Sequence, residues 1–492
     1  MGPGPGDAET PPGKSFKPRP SSRPVGARDK CGVLGVSIPG QGAAPYLYRG
    51  LRALQHRGQE SAGIATSTQS QMYHHRGMGL VHEIFDPEVL EALRGSVGIG
   101  HVRYSTTGSS SPENAQPFVV GTGSREMALG HNGDIVNYLK LRRRLAQQGV
   151  EFLGNADSEA LGEFIAHEFA RSRDMEAAIR RAMTEAAGGY AVVLLHGSRL
   201  YAFRDPLGIR PLCLGTLDGG MAVSSESVAL EMMGGRLVRD LRPGELVTIE
   251  KGQLLHSSQV PHPSRTAHCM FEWVYFSRPD SVLEGRLVYD VRYRIGRLLA
   301  RESPVPADVV VPVPDSSRPQ ALGFSEQVGF PYAEGLIKNR FVERTFILPD
   351  QKRREDEVRV KLHPIRGVLE NKRVVLLDDS IVRGTTLREI VAMVRGAGAR
   401  EIHVRVGCPP IVAPCYYGVD MKQRKDLVAC GRTEEQVAQA LGADSVHYLT
   451  QAGLLEAIGL AATNLCLACL GERYPVPVPQ EQHRFQKTLL EF

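Results

Sequence analysis

The stretch that most constrains the fold is residues 373–387, which change from apolar to acidic to hydroxyl-rich within a short span. Residues 374–377 form an unbroken apolar run, which is typical of a parallel β-strand covered on both faces. Asp378 and Asp379 end the run, and a serine, a glycine and two threonines follow. Open α/β sheets bind ligands at the carboxyl ends of their strands, and hydroxyl and backbone N–H groups hold phosphate. The stretch therefore predicts an α/β fold with a phosphate site.

The adjacent carboxylates narrow the choice of phosphate ligand. A helix that begins near Thr386 would direct its positive end at the loop and favour a phosphate monoester. Asp378 and Asp379 would then face ribose hydroxyls or a magnesium ion, because two carboxylates beside an anion would otherwise repel it. The stretch resembles the phosphoribosyl pyrophosphate (PRPP) motif of type I phosphoribosyltransferases. The alternative is a strand followed by a solvated acidic turn.

Length and composition indicate a globular protein with two large domains. The chain has 492 residues, of which 42% are hydrophobic and 23% charged, and this length exceeds what one core supports. The net charge of +5 is small and basic residues are mixed with acidic ones, so we expect no nucleic-acid partner. The sequence lacks a bilayer-spanning apolar stretch and a secretory signal, which predicts a cytoplasmic protein with no membrane partner.

The beginning of the chain differs in composition from the rest. Residues 1–30 are rich in Pro, Gly, Ser and Arg and lack apolar periodicity, which predicts a disordered leader or propeptide. A strand pattern begins at Cys31, and a cysteine there could simply be a small buried apolar residue. If the leader is removed after Lys30, however, Cys31 gains a free α-amine beside its thiol. Because the pKa of such an amine is about 7.7 to 8.0, it suits a general base for a thiol nucleophile.

Four segments downstream favour the nucleophile. They are Leu-Gln-His-Arg-Gly-Gln-Glu-Ser-Ala-Gly at 54–63, Gly-His-Val-Arg-Tyr-Ser-Thr-Thr-Gly at 100–108, Gly-His-Asn-Gly at 130–133 and Ala-Asp-Ser-Glu at 156–159. These segments resemble class II glutamine amidotransferases, which are N-terminal-nucleophile hydrolases. Together with the PRPP motif, they make the chain from Cys31 onward similar to the iron–sulfur subgroup of the amidophosphoribosyltransferase family.

This resemblance implies an enzyme with two half-reactions. Glutamine is hydrolysed to glutamate and ammonia through a thioester, and ammonia displaces pyrophosphate from PRPP to give 5-phosphoribosylamine, the first committed step of purine (IMP) synthesis. Asn132 and the backbone N–H of Gly133 would form the oxyanion hole. The catalytic residues that the resemblance implies are Cys31, Asn132, Gly133 and Tyr275. The glutamine-binding residues that it implies are Arg57, Arg103, Thr106 and Asp157.

The resemblance also implies a PRPP site with one magnesium ion for each PRPP. The implied PRPP-binding residues are Ser316, Lys338, Arg344, Asp378, Asp379, Ser380, Arg383, Gly384, Thr385 and Thr386. The implied magnesium ligands are Ser316, Asp378 and Asp379. Two positions depart from the family pattern: Asp315 stands where glutamate is usual, and Glu343 replaces a glycine in the loop that closes over PRPP. We expect Glu343 to face solvent, and Gln351 and Lys352 to contact pyrophosphate unless they belong to a solvated basic loop.

The expected fold follows from the strand pattern and from the resemblance. Short apolar runs alternate with turns between Tyr190 and Glu250, which fits a layered sandwich. The resemblance implies an α+β, four-layer N-terminal-nucleophile sandwich followed by an α/β type I phosphoribosyltransferase domain with a parallel sheet. The predicted divisions are a leader at 1–30, a glutaminase domain at 31–260, a phosphoribosyltransferase domain with the iron–sulfur ligands at 261–475 and a C-terminal tail at 476–492.

The eight cysteines are too sparse for a disulfide framework. Cys466 and Cys469 have the close spacing of a metal-binding pair, which by itself is a weak signal. Cys269 and Cys415 match the other two cysteines of the iron–sulfur subgroup, so the resemblance implies a four-iron, four-sulfur (4Fe-4S) cluster on four thiolates. Zinc is compatible with the same ligands. The cysteines predicted to be packing residues are Cys213, Cys408 and Cys430.

The partners that the family implies are glutamine, PRPP, purine nucleotides as feedback inhibitors and further copies of the chain in a dimer or tetramer. Two other functions fit part of the sequence. A non-catalytic PRPP-binding protein would need only the second domain. A sugar-phosphate amidotransferase would share the glutaminase domain but would lack the loop at 378–386.

Overall fold

The computed structural model describes residues 31–104, 111–121, 123–261, 263–339 and 362–479. Within these ranges, no helix combines the length and the apolar composition that crossing a membrane requires. The predicted features that lie outside them are the leader at 1–30, Thr106, Glu343, Arg344, Gln351, Lys352 and the end of the predicted tail from residue 480.

The N-terminal part is a sandwich of two antiparallel sheets with helices on both outer faces. Its strands are β1 (Gly32–Ser37), β2 (Ser61–Ser67), β3 (Met72–Met78), β4 (Val97–Arg103), β5 (Phe118–Val120), β6 (Met127–Ile135), β7 (Gly188–His196), β8 (Arg199–Arg204), β9 (Cys213–Leu217), β10 (Gly220–Ser224), β11 (Arg236–Asp240), β12 (Glu245–Glu250) and β13 (Gln253–Gln259). Its helices are α1 (Ala44–Ala53), α2 (Val81–Ile84), α3 (Pro87–Ala92), α4 (Tyr138–Ala146), α5 (Asp157–Ser172), α6 (Met175–Glu185) and α7 (Ser227–Met232).

Three apolar layers hold this sandwich together. One sheet has the strand order β11-β9-β10-β1-β4-β2-β3 and the other β13-β12-β8-β7-β6-β5. Val33 of β1 and Val193 of β7 are fully buried between the sheets. Leu47 of α1 packs on the outer face of the first sheet, and Phe164 of α5 packs on that of the second. The predicted four-layer sandwich is confirmed, and β1, which begins directly after Cys31, lies inside it and is buried along its whole length.

The C-terminal part is an α/β unit. Its strands are β14 (His268–Cys269), β15 (Val282–Leu283), β16 (Arg286–Leu287), β17 (Val309–Pro312), β18 (Leu336–Lys338), β19 (Leu362–Pro364), β20 (Arg373–Asp378), β21 (Glu401–Val406), β22 (Ser445–Tyr448) and β23 (Leu465–Cys466). Its helices are α8 (Val288–Glu302), α9 (Arg318–Val328), α10 (Arg366–Leu369), α11 (Thr385–Gly396), α12 (Glu434–Leu441), α13 (Gln451–Ile458) and α14 (Ala468–Gly471). Short 3₁₀ helices span Gln55–Arg57, Pro112–Asn114, Gly123–Arg125, Arg424–Asp426 and Ala462–Asn464.

The central sheet of this unit is parallel, with the order β17-β20-β21-β22. β20 contains the predicted apolar strand, and its residues 374–377 are buried because helices cover both faces. α11 begins at Thr385, one residue before the predicted start. The predicted strand, loop and helix are therefore confirmed, and they place Asp378 and Asp379 at the carboxyl end of the sheet.

A short π-helical segment, Glu272–Phe276, joins the two parts, and we call it the junction helix. Just before it, β14 pairs in parallel with β23, so that Cys269 lies opposite Cys466. The apolar cluster around the junction helix includes Trp273 and also Ile209 of the sandwich. The two parts therefore share a core at the junction helix.

Candidate active sites

Cys31 lies at the entrance to β1 and its thiol is buried. The thiol donates a weak hydrogen bond to the carbonyl oxygen of Tyr104, 3.8 Å away. The register of β1 with β4 pairs Gly32 with Val102, so Cys31 stands beside Arg103, a predicted glutamine-binding residue that is itself buried. The φ angle of Cys31 is +64°, a left-handed conformation that non-glycine residues adopt mostly at constrained functional positions.

The predicted oxyanion hole lies in β6, in the sheet that faces β1. The Asn132 amide is completely buried, and neither its nitrogen nor its oxygen has a hydrogen-bond partner among the described residues. Buried polar atoms without partners are rare in proteins, and they are expected where a ligand supplies the bond. Gly133 has φ +140°, and a Cβ there would lie 2.0 Å from the carbonyl oxygen of Gly189. Only glycine fits this position.

Asp157, predicted to bind the glutamine α-ammonium, begins α5 and is held rigidly. Its carboxylate accepts hydrogen bonds from the backbone N–H of Ile135 and of Ser158, both 2.9 Å long. Burial raises the pKa of Asp157, which the nearby His131 and Lys422 partly offset. His131 is itself buried, which lowers its pKa, and its Nδ1 lies 2.8 Å from the Ser158 hydroxyl.

Lys422 belongs to the C-terminal part, yet its positive charge lies close enough to Asp157 to lower the pKa of that carboxyl. Its Nζ lies 3.8 Å from Oδ2 of Asp134, a buried residue of β6. This contact could not be predicted from the sequence, because Lys422 stands among other charged residues of an irregular stretch. A charge of the C-terminal part therefore acts on Asp157, a predicted glutamine-binding residue of the sandwich.

Arg57, another predicted glutamine-binding residue, has a fully buried side chain. Its Nε donates to the carbonyl oxygen of Cys31 at 3.2 Å, and its other nitrogens contact Glu226 and Glu272. Burial alone would raise the pKa of Glu226, but His56 and Arg57 hold it well below the usual range. Neither carboxylate was singled out from the sequence, because their partners lie far away along the chain.

The acid pair occupies the position expected for the PRPP site. Burial raises the pKa of Asp378, and the adjacent Asp379 raises it further. Burial likewise raises the pKa of Asp379. The hydroxyl of Ser316 donates to Asp379, and that of Ser380 does so at 2.7 Å. Two adjacent carboxylates with hydroxyl oxygens beside Asp379 match the oxygen ligands that Mg²⁺ prefers.

Arg292 lies behind this acid pair and was missed from the sequence. It donates to the backbone carbonyls of Trp273 at 2.8 Å and Ser277 at 2.7 Å. Burial lowers the pKa of Arg292 to about 10, and Asp379 counteracts this shift. A buried cation on α8 thus links the junction helix to the acid pair electrostatically.

The predicted phosphate cradle surrounds the start of α11. Gly384 has φ +73°, and the Thr385 hydroxyl is buried without a partner among the described residues. Arg383 lies 4.0 Å from Asp420 and 3.9 Å from Asp426. The positive end of α11 and the Thr385 hydroxyl leave donors available to a phosphate group.

Lys338, a predicted PRPP-binding residue, interacts with Asp315, one of the two positions that depart from the family pattern. Asp315 pairs with Lys338 at 2.9 Å and with Arg318 at 2.8 Å. Arg278 and Asp315 line one cavity of about 870 Å³ between the two parts of the chain. Tyr275 is half-buried on the junction helix, with its ring 5.6 Å from that of Phe276.

The four predicted cluster ligands, Cys269, Cys415, Cys466 and Cys469, lie within electrostatic range of one another. Burial raises the pKa of Cys469, and the other three thiols and Cys408 raise it further. No group of three or more potential ligands is arranged around a common metal position in the part of the chain that the structure describes. Three buried thiols and the partly buried thiol of Cys415 nevertheless have the chemistry that an iron–sulfur cluster requires.

Comparisons with known proteins identify relatives that cover nearly the whole chain. Residues 101–232 match the glutamine amidotransferase domain family. The chain is 49% identical to amidophosphoribosyltransferase of Methanothermobacter thermautotrophicus over 93% of this chain and 97% of the relative. It is 45% identical to amidophosphoribosyltransferase of Synechococcus elongatus over 95% and 96% of the two chains. Glutamine PRPP amidotransferase of B. subtilis, solved with ADP and GMP, superimposes with a TM-score of 0.86 at 40% identity over 92% of this chain and 100% of that one.

Proposed function

Since the chain belongs to the amidophosphoribosyltransferase family, we propose that Cys31 and the Asp378–Asp379 pair are the centres of its two half-reactions. The overall reaction is that of the family: nitrogen from glutamine is transferred to PRPP, which yields 5-phosphoribosylamine, pyrophosphate and glutamate in purine synthesis. The observation that carries the proposal is that both centres lie in one chain that spans 97% of a curated relative's length.

The glutaminase half-reaction needs a nucleophile, a base and an oxyanion site. Cys31 Sγ attacks the carboxamide carbon, and the α-amine of the same residue takes the thiol proton and passes it to the leaving ammonia. The Asn132 side-chain N–H and the Gly133 backbone N–H stabilise the oxyanion. Water then hydrolyses the thioester to glutamate. The amine exists only in a chain that begins at Cys31, so removal of residues 1–30 activates this half.

Glutamine is held by both of the charged groups on its α-carbon. Arg103, beside Cys31, binds the α-carboxylate through its planar guanidinium, and Asp157 binds the α-ammonium. Thr106 is proposed to close the pocket. Arg57 is proposed to stabilise the pocket through its hydrogen bond to the carbonyl oxygen of Cys31. The fixed backbone hydrogen bonds of Asp157 support this role, because they orient its carboxylate before the substrate arrives.

The second half-reaction takes place at the end of β20. Asp378, Asp379 and Ser316 are proposed to hold one magnesium ion, which would neutralise the pyrophosphate charge when bound. The residues proposed to cradle the 5-phosphate are Ser380, Arg383, Gly384, Thr385 and Thr386. Lys338 and Arg344 are proposed to contact the pyrophosphate, and Tyr275 to lie between the two sites. Exclusion of water keeps the activated ribose from hydrolysis.

Cys269, Cys415, Cys466 and Cys469 are proposed to hold a 4Fe-4S cluster with a structural role. The electrostatic interaction of Cys469 with the other three thiols supports this assignment. The cluster would tie β14 and β23 together at the junction.

The proposed organisation follows the predicted divisions, with a glutaminase domain at 31–260, a phosphoribosyltransferase domain at 261–475 and a tail at 476–492. We further propose a cytoplasmic homo-oligomer, a dimer or tetramer, that purine nucleotides inhibit. A solved relative that carries ADP and GMP supports the nucleotide proposal.

The test of the proposed function is glutamine-dependent release of pyrophosphate from PRPP by anaerobically purified protein. The same sample is analysed by intact mass and for iron and zinc. We expect a chain that begins at Cys31, with about four irons. A Cys31→Ser variant should lose glutamine-dependent release and retain ammonia-dependent release. Release that neither nitrogen donor stimulates would refute the function, whereas zinc in place of iron would refute only the cluster.

A further inference from the structure

The Arg57 side chain touches the main chain of the proposed nucleophile. Its Nε donates to the carbonyl oxygen of Cys31 at 3.2 Å, on the strand entrance that orients the thiol and the α-amine. The guanidinium is completely buried, so its position is set by protein groups and not by water. Whatever fixes Arg57 therefore also restrains Cys31.

Two carboxylates fix Arg57, and they come from different parts of the chain. Glu226 precedes α7 in the sandwich, and its Oε1 contacts Nη1 of Arg57. Glu272 is the first residue of the junction helix, and its carboxylate contacts both terminal nitrogens of Arg57 at 2.9 to 3.1 Å. A planar guanidinium held by a carboxylate in this forked way has its orientation fixed as well as its position.

Glu272 is in turn held in one orientation. Its Oε1 accepts from Arg210 at 3.2 Å, and its Oε2 accepts from the Ser277 hydroxyl at 2.8 Å. Burial opposes ionisation of Glu272, but Arg57 and Arg210 lower its pKa below the usual value, so it is a carboxylate at neutral pH. A negative charge in this position is satisfied on all sides by the two arginines and one hydroxyl.

We propose that Glu272 is a positioning residue for the glutaminase half-reaction: the second domain supplies, through Arg57, the restraint that aligns Cys31 for attack. This inference rests on the proposed function. Glu272 touches neither glutamine nor the reacting atoms, so it acts only through Arg57. The glutaminase site is consequently incomplete without the junction helix, although its substrate-binding residues lie almost entirely in the sandwich.

The test compares two activities of one variant, Glu272→Gln, which keeps the side-chain shape and removes the charge. A displacement of about 1 Å at a reacting centre costs on the order of 100-fold in rate. We therefore expect kcat for the glutamine-dependent reaction to fall about 10- to 100-fold. The KM for glutamine should change by less than about 2-fold, because Arg103 and Asp157 are untouched. Ammonia-dependent kcat, which bypasses Cys31, should also stay within about 2-fold of the parent value.

Two further measurements separate positioning from general destabilisation. The rate at which iodoacetamide alkylates Cys31, followed by peptide mass, should fall in parallel with glutamine-dependent kcat. Glu272→Asp, which restores the charge on a shorter side chain, should recover part of both. The matched control is Glu245→Gln, because Glu245 is a buried glutamate that forks onto Arg239 at 2.7 Å within the sandwich. We expect it to lower thermal stability and to leave the ratio of the two activities unchanged.

A milder variant keeps the test decisive if Glu272→Gln does not fold. Ser277→Ala removes one hydrogen bond to Glu272 and should lower glutamine-dependent kcat about 3- to 10-fold, again without a change in ammonia-dependent kcat. Equal losses in both activities, or no loss in either, would overturn the role of Glu272. A parent enzyme that uses ammonia but not glutamine would instead overturn the proposed function of Cys31.

Discussion

Two pairs of carboxylates lie in surroundings that shift their pKa values in opposite directions. Glu226 and Glu272 flank the guanidinium of Arg57, and although burial opposes ionisation, their pKa values are lowered. Asp378 and Asp379 lie next to each other at the end of β20, and their pKa values are raised. The same chemical group is thus stabilised as an anion in one region and penalised in the other.

This difference separates a structural site from a binding site. The glutamates have cationic partners within the protein, so removing one of them leaves the buried Arg57 with a single compensating carboxylate. The aspartates repel each other and have hydroxyl groups and the more distant Arg292 around them. An external cation would relieve that repulsion. The repulsion within the acid pair therefore lowers the stability of the folded protein, and binding of a cation would recover that free energy.

The largest expected effect comes from breaking the acid pair. Asp379→Asn removes one proposed magnesium ligand and one of two repelling charges. We expect ammonia-dependent pyrophosphate release to fall about 100- to 1,000-fold, because charge stabilisation of the leaving group is lost. The melting temperature should rise at the same time. Enzyme assay and thermal unfolding of the same preparation measure both quantities.

The matched control is Asp308→Asn, next to the other end of the same strand. Asp308 pairs with Arg373 at 2.8 Å near the surface, where water screens such pairs and they contribute little to stability. We expect little change in activity. An Asp379→Asn protein as active as Asp308→Asn would contradict the role assigned to the acid pair.

Breaking the other pair should have the opposite effect on stability. Glu226→Ala leaves Arg57 with one carboxylate and removes the acceptor for the Ser281 hydroxyl and the Arg278 backbone N–H. We expect the free energy of unfolding to fall by about 3 kcal/mol. Denaturant unfolding of this variant beside Asp379→Asn tests the comparison directly. If both variants shift the denaturant midpoint of unfolding in the same direction, the two carboxylate pairs do not differ in their effect on stability.

How far the sequence predicted these sites depends on the distance along the chain between their parts. The acid pair, its strand and the helix of its cradle are contiguous, so residues 373–387 alone predicted them. The His-Asn-Gly segment is a local motif, whereas Cys31 was predicted to be the nucleophile because four downstream segments resemble those of a known family. The fold class was correct for the same reason, since apolar strand patterns and the two motifs together constrain it.

The supporting charges could not be predicted in this way. Glu272 lies 215 positions from Arg57 along the chain, and Arg292 stands in an ordinary amphipathic helix. A glutamate or arginine in such a context is usually solvated. Only the packing of the junction helix against the sandwich buries these groups and pairs them. That packing depends on contacts between distant segments, which leave no periodic pattern in the sequence.

A third carboxylate pair, Asp240 and Glu284, provides a test of the comparison by pH. Burial raises the pKa of Asp240 to about 6, and the negative charge of Glu284 contributes, while Arg204 opposes the shift. Because the folded-state pKa exceeds the unfolded value, the folded state binds more protons, and stability should fall as pH rises from about 4 to about 6. The loss should not exceed about 3 kcal/mol.

The variant Asp240→Asn should remove this part of the pH dependence. Denaturant unfolding of parent and variant at several pH values isolates the contribution of Asp240, because the other carboxylates with raised pKa values are present in both proteins. Curves that stay parallel between pH 4 and 6 would show that the Asp240 pKa is not raised.

The smallest expected effect is at Lys422, whose positive charge lies near two carboxylates, those of Asp134 and Asp157. Lys422 lies 3.8 Å from Asp134 and lowers the pKa of the neighbouring Asp157. Lys422→Met should therefore raise the pKa of Asp157, so that this carboxylate is protonated at a higher pH and binds the glutamine α-ammonium less well. We expect the KM for glutamine to rise about 3-fold at pH 6 and to change little at pH 8, which corresponds to less than about 1 kcal/mol. Lys425→Met, an exposed lysine three residues away, is the matched control and should leave both KM values unchanged. An equal rise at both pH values would mean that Lys422 acts on the shape of the pocket, in which case its charge does not set the ionisation of Asp157.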